Sequence, residues 1–337
     1  MKNESAVSIY RINFSYFYCM NPEFPTRDEL LEVHRSIRPY IHRTPVLSST
    51  LLNQLTGARV YFKCENFQKM GAFKMRGAQN AILQLSEAQR KAGVVTHSSG
   101  NFGQAVALAA RNLGVNAYIV MPSNAPNVKK SAVRQYGGKI TECEPTLAAR
   151  EATSAEIQRA TGATFLHPSN QNEVILGNAT AAMELLEDHP NLDYIFTPVG
   201  GGGLIAGTAL AAHYFGKGCK AIGGEPLEAD DAWRSLQSGK IESNETANTI
   251  ADGLRTELGD VNFPIIKSLV PEIIRVSETE IIEALKLIWE RMKIIIEPSC
   301  AVPFAALLSE KTRFKNKKVG ILISGGNVDL GNLPFAG

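Results

Sequence analysis

Short apolar, β-branched runs alternate along this chain with longer stretches in which apolar residues recur every three or four positions, the pattern of strands alternating with helices. Val60-Tyr61-Phe62-Lys63-Cys64 reads as a strand and 74–85 as a helix. Val94-Val95-Thr96 leads to a helix over 101–113, a strand over 117–121 to a helix over 127–136, and a strand over 139–143 to a helix over 148–161. Longer elements follow: strands over 194–199, 221–224 and 319–323, and a helix over 279–292. Helices interposed between strands let the strands run parallel, so the pattern predicts an α/β protein with open parallel sheets covered by helices on both faces. The compact units between 93 and 167 predict a small domain inserted into a larger one built from 26–92 and 168–337, behind an N-terminal arm over 1–25. The first helix opens on a capping box, Thr26-Arg27-Asp28-Glu29, and carries Leu30, Leu31, Val33, Ile37 and Ile41 before Pro45 ends the segment.

Composition narrows the class. A chain of 337 residues has room for about two domains and a large core. A net charge of +2, with no basic run interleaved with aromatics, argues against a nucleic-acid partner. Residues 9–20 are rich in Tyr and Phe, yet Arg11 and Asn13 interrupt them, the stretch is too short to cross a bilayer and it lacks a small-residue cleavage site. It reads as a peripheral arm, or as residues ahead of a start at Met20, and no membrane association is expected. Cys19, Cys64, Cys143, Cys219 and Cys300 are widely spread without a C-x-x-C pair, which fits reduced thiols in a cytoplasmic protein and no cysteine-held zinc.

The densest chemical signal is Ile195-Phe196-Thr197-Pro198-Val199 running into Gly200-Gly201-Gly202-Gly203-Leu204 and then into helical spacing. Glycine removes Cβ, so peptide N–H groups can close around an anion at a helix start, and a phosphate fits there best. The bland alternative is a flexible turn. A rival functional reading also exists, because Gly201 to Ala206 satisfies a dinucleotide fingerprint and Glu225 ends a second strand about 20 residues on, where a ribose partner would sit.

Other strand ends are also polar. Ser98-Ser99-Gly100-Asn101 opens a helix and suits a carboxylate, although one such residue suffices for ordinary capping. Ser324-Gly325-Gly326-Asn327 follows the last strand, where Ser324 could hydrogen-bond a ring nitrogen. Lys74 stands at a helix start between Phe73 and Met75, and an apolar setting makes a lysine amine nucleophilic; a solvated surface lysine is the commoner fate, and spacing alone leaves the two open.

In their order, Phe73-Lys74 with Arg76-Gly77, then Ser98-Ser99-Gly100-Asn101, the four glycines and Ser324-Gly325-Gly326-Asn327 resemble the fold type II pyridoxal-phosphate enzymes. Within them the chain is most similar to the serine racemase and serine/threonine dehydratase branch, from about residue 26 to residue 330, including Thr44-Pro45-Val46-Leu47, Ala251-Asp252-Gly253 and Glu297-Pro298. A dehydrogenase has no use for the lysine segment. The resemblance implies that Lys74 carries pyridoxal phosphate through an imine with Phe73 beside the ring, and that Gly200, Gly201, Gly202, Gly203 and Leu204 hold its phosphate. It further implies that Ser324 meets the pyridine nitrogen, that Asn101, Gly253 and Glu297 line the cofactor pocket, and that Ser98, Ser99, Asn101, Phe102 and Arg150 contact an amino acid substrate.

The implied reaction is loss of water from a β-hydroxy amino acid, giving a 2-oxo acid and ammonia. Serine racemisation is the alternative, with Lys74 and Ser99 as opposite-face bases; a cysteine-synthase-like β-replacement is a lesser one. Glu225, Ala229 and Asp231 match a divalent-cation site of the branch, whose oxygen ligands suit magnesium, calcium or manganese. A homodimer is also implied, and the short tail after the last strand leads us to expect no regulatory domain. The chain departs from the branch at Phe102, where many relatives have histidine, at Ser169 and at Asn178-Ala179. An aromatic at 102 would accommodate a larger or less polar β-substituent, so a β-hydroxy amino acid other than serine or threonine, such as phenylserine or hydroxyaspartate, is expected to be the better substrate.

Overall fold

The computed structural model describes residues 24–98, 100–331 and 333–335, so most of the expected arm, and Ser99, lie outside the described residues. In chain order the strands are β1 (Val46–Leu47), β2 (Arg59–Cys64), β3 (Val94–His97), β4 (Ala117–Pro122), β5 (Lys139–Cys143), β6 (Thr164–Phe165), β7 (Tyr194–Pro198), β8 (Lys220–Pro226), β9 (Ile273–Val276) and β10 (Lys318–Ile323). The helices are α1 (Arg27–Ile37), α2 (Thr50–Thr56), α3 (Lys74–Leu83), α4 (Glu87–Ala92), α5 (Asn101–Asn112), α6 (Asn127–Gln135) and α7 (Leu147–Thr161) in the first half. The second half carries α8 (Asn172–Asp188), α9 (Gly203–Phe215), α10 (Asp231–Ser238), α11 (Phe263–Leu269), α12 (Glu278–Met292) and α13 (Pro298–Ser309).

Two sheets result. A six-stranded sheet has the order β1-β2-β10-β7-β8-β9, and a four-stranded sheet the order β5-β4-β3-β6. The strand pairs are parallel, as expected of strands joined through helices, except that β1 runs antiparallel to β2 with Val46 opposite Lys63. The polar strand ends picked out in the sequence follow β2, β3, β7 and β10, and they therefore open toward the carboxyl ends of both sheets, where ligands of open α/β folds collect.

Burial explains which elements the pattern announced. The strands β2, β7 and β10 and the caps of α1, α4 and α12 behave as their sequences dictate; Ser277, for example, accepts from Glu280 N–H while the Glu280 carboxylate reaches back. The long α8 is unannounced because Val174 to Leu186 is buried throughout, so it has no polar face and no period to read. The same holds for α13, which also contains Pro303. Among the described residues no helix is long and apolar enough to cross a membrane.

α8 lies tight against α3: a Cβ on Gly177 would stand 2.4 Å from the Arg76 carbonyl oxygen. That approach places a buried ion network between them. Arg76 donates to Glu65 Oε2 at 2.7 Å and Oε1 at 2.8 Å, and to Glu184 Oε1 at 2.9 Å and Oε2 at 2.8 Å. Lys63 donates to Glu184 at 2.7 Å, so two cations and two carboxylates compensate one another where isolated charges would be expelled. The network anchors α3 two residues beyond Lys74.

Candidate active site

Lys74 begins α3, and its position is set by the chain on both sides. Ahead of it, Phe73 N–H donates to the Ser324 carbonyl at 2.9 Å and Ala72 bridges Gly325, so the helix start is joined to the end of β10. Behind it the Arg76 network holds the first turn. Nζ donates to the Pro168 carbonyl at 2.6 Å and lies 5.0 Å from the Phe73 ring centre and 5.7 Å from that of Phe102. Burial between these rings brings the amine down to about 8, against a smaller upward pull from the Glu297 charge.

The glycine loop follows β7, and its four glycines are buried. Gly202 has φ +79°, and a Cβ on Gly201 would meet Ser169 Oγ at 2.5 Å, so the loop is shaped for a close approach rather than for mobility. Asn262 fixes it, donating from Nδ2 to the Gly201 carbonyl at 2.8 Å and the Ser169 carbonyl at 3.2 Å. No main-chain oxygen among the described residues accepts from the N–H groups of Gly200 to Leu204. A row of uncommitted donors at the head of α9 is what a phosphate monoester requires. Pro168 and Ser169 connect the two parts, one touching the lysine amine and the other the glycines.

The facing wall comes from β10 and α13. Glu297 caps α13, is 5% exposed, and accepts from Asn101 Nδ2 at 3.0 Å on each oxygen. Asn327 completes the group by donating to Asn101 Oδ1 at 2.8 Å. Burial pushes the Glu297 carboxyl up to about 7, with the Asn101 donation opposing. Ser324 Oγ faces Cys300 Sγ at 3.1 Å. Gly253 N–H donates to Ser299 Oγ at 3.1 Å, and the Gly253 oxygen lies 3.0 Å from where a Cβ on Gly200 would stand.

Contacts therefore tie Phe73, Lys74, Asn101, Phe102, the glycine loop, Gly253, Glu297 and Ser324 to one another. Ser98 Oγ accepts from Gly100 N–H at 3.3 Å, a local turn at the head of α5. Arg150 stands apart on α7, where its Nε bonds the Thr146 carbonyl at 3.4 Å; its charge still reaches His97 and, after desolvation, helps hold that imidazole below its ordinary range. The Glu225 carboxylate is fully buried and accepts from Ala232 N–H at 2.9 Å and Trp233 N–H at 2.8 Å, so it faces no ribose site. Desolvation and the neighbouring Asp231 charge push Glu225 well up, and desolvation brings Asp231 up to about 6.

Sequence reasoning missed His97 and His167 as parts of this site. The rings of His97, Phe165 and His167 form a row, with centres 5.2 Å and 6.3 Å apart. His167 Nδ1 accepts from Asn170 N–H at 2.8 Å, which puts the proton on Nε2, and desolvation with the nearby His97 and Lys74 charges pulls the imidazole down to about 4. His97 ends β3 and His167 follows β6, and no spacing in the sequence brings them together.

Comparison with known proteins agrees with this geometry. Residues 37–325 match the family described as pyridoxal-phosphate dependent enzyme. The beta-hydroxyaspartate dehydratase of Paracoccus denitrificans is 47% identical over 311 residues, covering 92% of this chain and 99% of that one. The serine racemase of Dictyostelium discoideum is 49% identical over 312 residues, covering 91% and 96%. Its crystal structure superposes with a TM-score of 0.86 over 90% of this chain and 98% of that one. The chain belongs to the pyridoxal-phosphate dependent enzymes, as a fold type II member of the serine/threonine dehydratase branch.

Proposed function

We propose that this protein is an ammonia-lyase that removes water from a β-hydroxy amino acid, and that a 3-hydroxyaspartate-type dicarboxylate is the substrate it serves best. The observation that carries the reading is the half-buried Lys74 amine joined through Pro168 and Ser169 to a glycine loop with uncommitted N–H donors. Those residues fit pyridoxal phosphate: Lys74 as its covalent partner, Gly200 to Leu204 at the phosphate, Phe73 beside the ring, Gly253 and Glu297 along the pocket and Ser324 at the ring nitrogen. When bound, the cofactor supplies an electron sink for the pair left on the substrate α-carbon, a weak one where serine rather than a carboxylate meets the nitrogen.

The chain's own groups do the rest. Once the substrate amine has displaced it, the freed Lys74 Nζ, whose burial favours the neutral amine, takes the α-proton and then offers a proton to the departing β-hydroxyl. The Pro168 carbonyl keeps that amine aimed. Ser98 and the head of α5 receive the α-carboxylate, with Asn101 fixed for that purpose by Glu297 and Asn327. Arg150, beyond His97, supplies the positive charge for a second carboxylate. Phe102 closes the pocket beside the amine and excludes water. The released enamine hydrolyses in solution to a 2-oxo acid and ammonia.

Racemisation is the second reading, supported by the likeness to a serine racemase. It needs a base on the face opposite Lys74; Ser99, expected there, lies outside the described residues. We also infer a magnesium, calcium or manganese ion on Glu225, Asp231 and the Ala229 carbonyl. Two buried, mutually repelling carboxylates support it, although no group of three His, Cys, Asp or Glu side chains gathers among the described residues. A homodimer, a cytoplasmic location and the division into 26–92 with 168–337 and 93–167 complete the proposal. Incubation with single hydroxyamino acids, reading 2-oxo acid and the chirality of the remainder, tests it. Hydroxyaspartate is expected to turn over fastest; serine or threonine far ahead of it rejects the preference, and inversion without oxo acid favours the racemase.

A further inference from the structure

The thiol of Cys300, third residue of α13, is wedged into the turn after β10. Its Sγ lies 2.9 Å from the Gly325 oxygen, 2.9 Å from the Gly325 nitrogen, which donates to it, and 3.1 Å from Ser324 Oγ. Burial pushes the thiol far above its ordinary range, so the sulfur keeps its proton. That proton is aimed at the Gly325 oxygen, which leaves the sulfur lone pairs to accept from Gly325 N–H and from the Ser324 hydroxyl. Ser324 is 3% exposed, and among the described residues Cys300 is the one partner of its hydroxyl. Its main chain is held by Phe73 N–H at 2.9 Å, so the hydroxyl can rotate but the residue cannot move away.

We propose that Cys300 is a positioning residue for the cofactor ring: it offers the Ser324 hydroxyl proton a second, weak acceptor and thereby sets how much of that proton the ring nitrogen receives. The inference rests on Ser324 meeting the ring nitrogen. Sulfur accepts weakly, so in the native protein most of the hydroxyl proton goes to the ring. An oxygen in its place competes strongly and an alanine does not compete at all. The two substitutions must therefore act in opposite directions, which a packing role does not require. The electron demand of the ring follows the hydrogen bond to its nitrogen.

The test is the ring-nitrogen resonance of holoenzyme loaded with pyridoxal phosphate carrying 15N in the ring. Donation to a pyridine nitrogen moves its resonance upfield. Cys300→Ala is expected to move it upfield of the native position, Cys300→Ser downfield, and Ser324→Ala furthest downfield. Cys300 variants that shift together or not at all overturn the proposal; if Ser324→Ala still shifts the line, the serine reading survives that failure. An unmoved line in Ser324→Ala overturns both. Should a variant not take up cofactor, the S–H stretch of the apoenzyme decides: Ser324→Ala must move the Cys300 band to higher frequency, because the sulfur has lost a donor that strengthened its own bond to Gly325, and an unchanged band contradicts the proposal.

Discussion

Lys74 Nζ and the Pro168 carbonyl oxygen stand 2.6 Å apart, and this contact joins the helix that presents the amine to the segment on which the glycine loop rests. It makes one unit of two motifs that are distant in sequence. Burial also controls the charge of the amine, favouring its neutral form.

That control sets a pH dependence. With its pKa near 8, about a tenth of the amine is neutral at pH 7, against fewer than ~1 in 1,000 for an ordinary lysine. The rate at which apoprotein captures pyridoxal phosphate should rise as pH increases through about 8 and then level off. The Glu297 charge favours the ammonium, so Glu297→Gln should move the midpoint lower. Stopped-flow capture kinetics across pH check both; a midpoint above that of the native chain contradicts the stated electrostatics.

Gly201→Ala forces a Cβ to within 2.5 Å of Ser169 Oγ and tilts the loop that is to hold the phosphate. Cofactor affinity should fall at least about tenfold, ~1.4 kcal/mol, in a fluorescence titration. Unchanged affinity would mean that the phosphate sits elsewhere.

Arg76→Met leaves the buried Glu65 carboxylate without its cation and Glu184 with Lys63 alone. Removing one member of such a network costs about 3–5 kcal/mol, to be read from urea unfolding. The lysine should also lose its fixed bearing, lowering kcat more than it raises KM.

If a cation sits on Glu225 and Asp231, chelation should lower the thermal midpoint of the native protein and magnesium, calcium or manganese should restore it. Asp231→Asn keeps the shape but halves the ligand charge, and should be insensitive to both treatments. Differential scanning fluorimetry with and without chelator separates these outcomes.

Part of the candidate site could be read from the chain because its chemistry is local, donors at helix starts and glycines where backbone must approach an anion, whereas Lys74 is singled out by the resemblance, its spacing fitting a surface lysine equally well. Strands such as β2 and β10 were legible for the same reason, since their apolar runs are bounded by polar ends. What escaped depends on contacts between distant segments. The all-buried α8 has no polar face to mark it, β9 is a half-covered edge, and the row of His97, Phe165 and His167 exists only once β3 and β6 pair. The Arg76 network and the thiol behind Ser324 likewise belong to packing.

The central claim is that the cofactor is carried on Lys74. Borohydride reduction of the holoenzyme, digestion and mass spectrometry should place the pyridoxyl adduct on the peptide containing Lys74. An adduct on another side chain, or none on an enzyme that was active before reduction, would contradict the account.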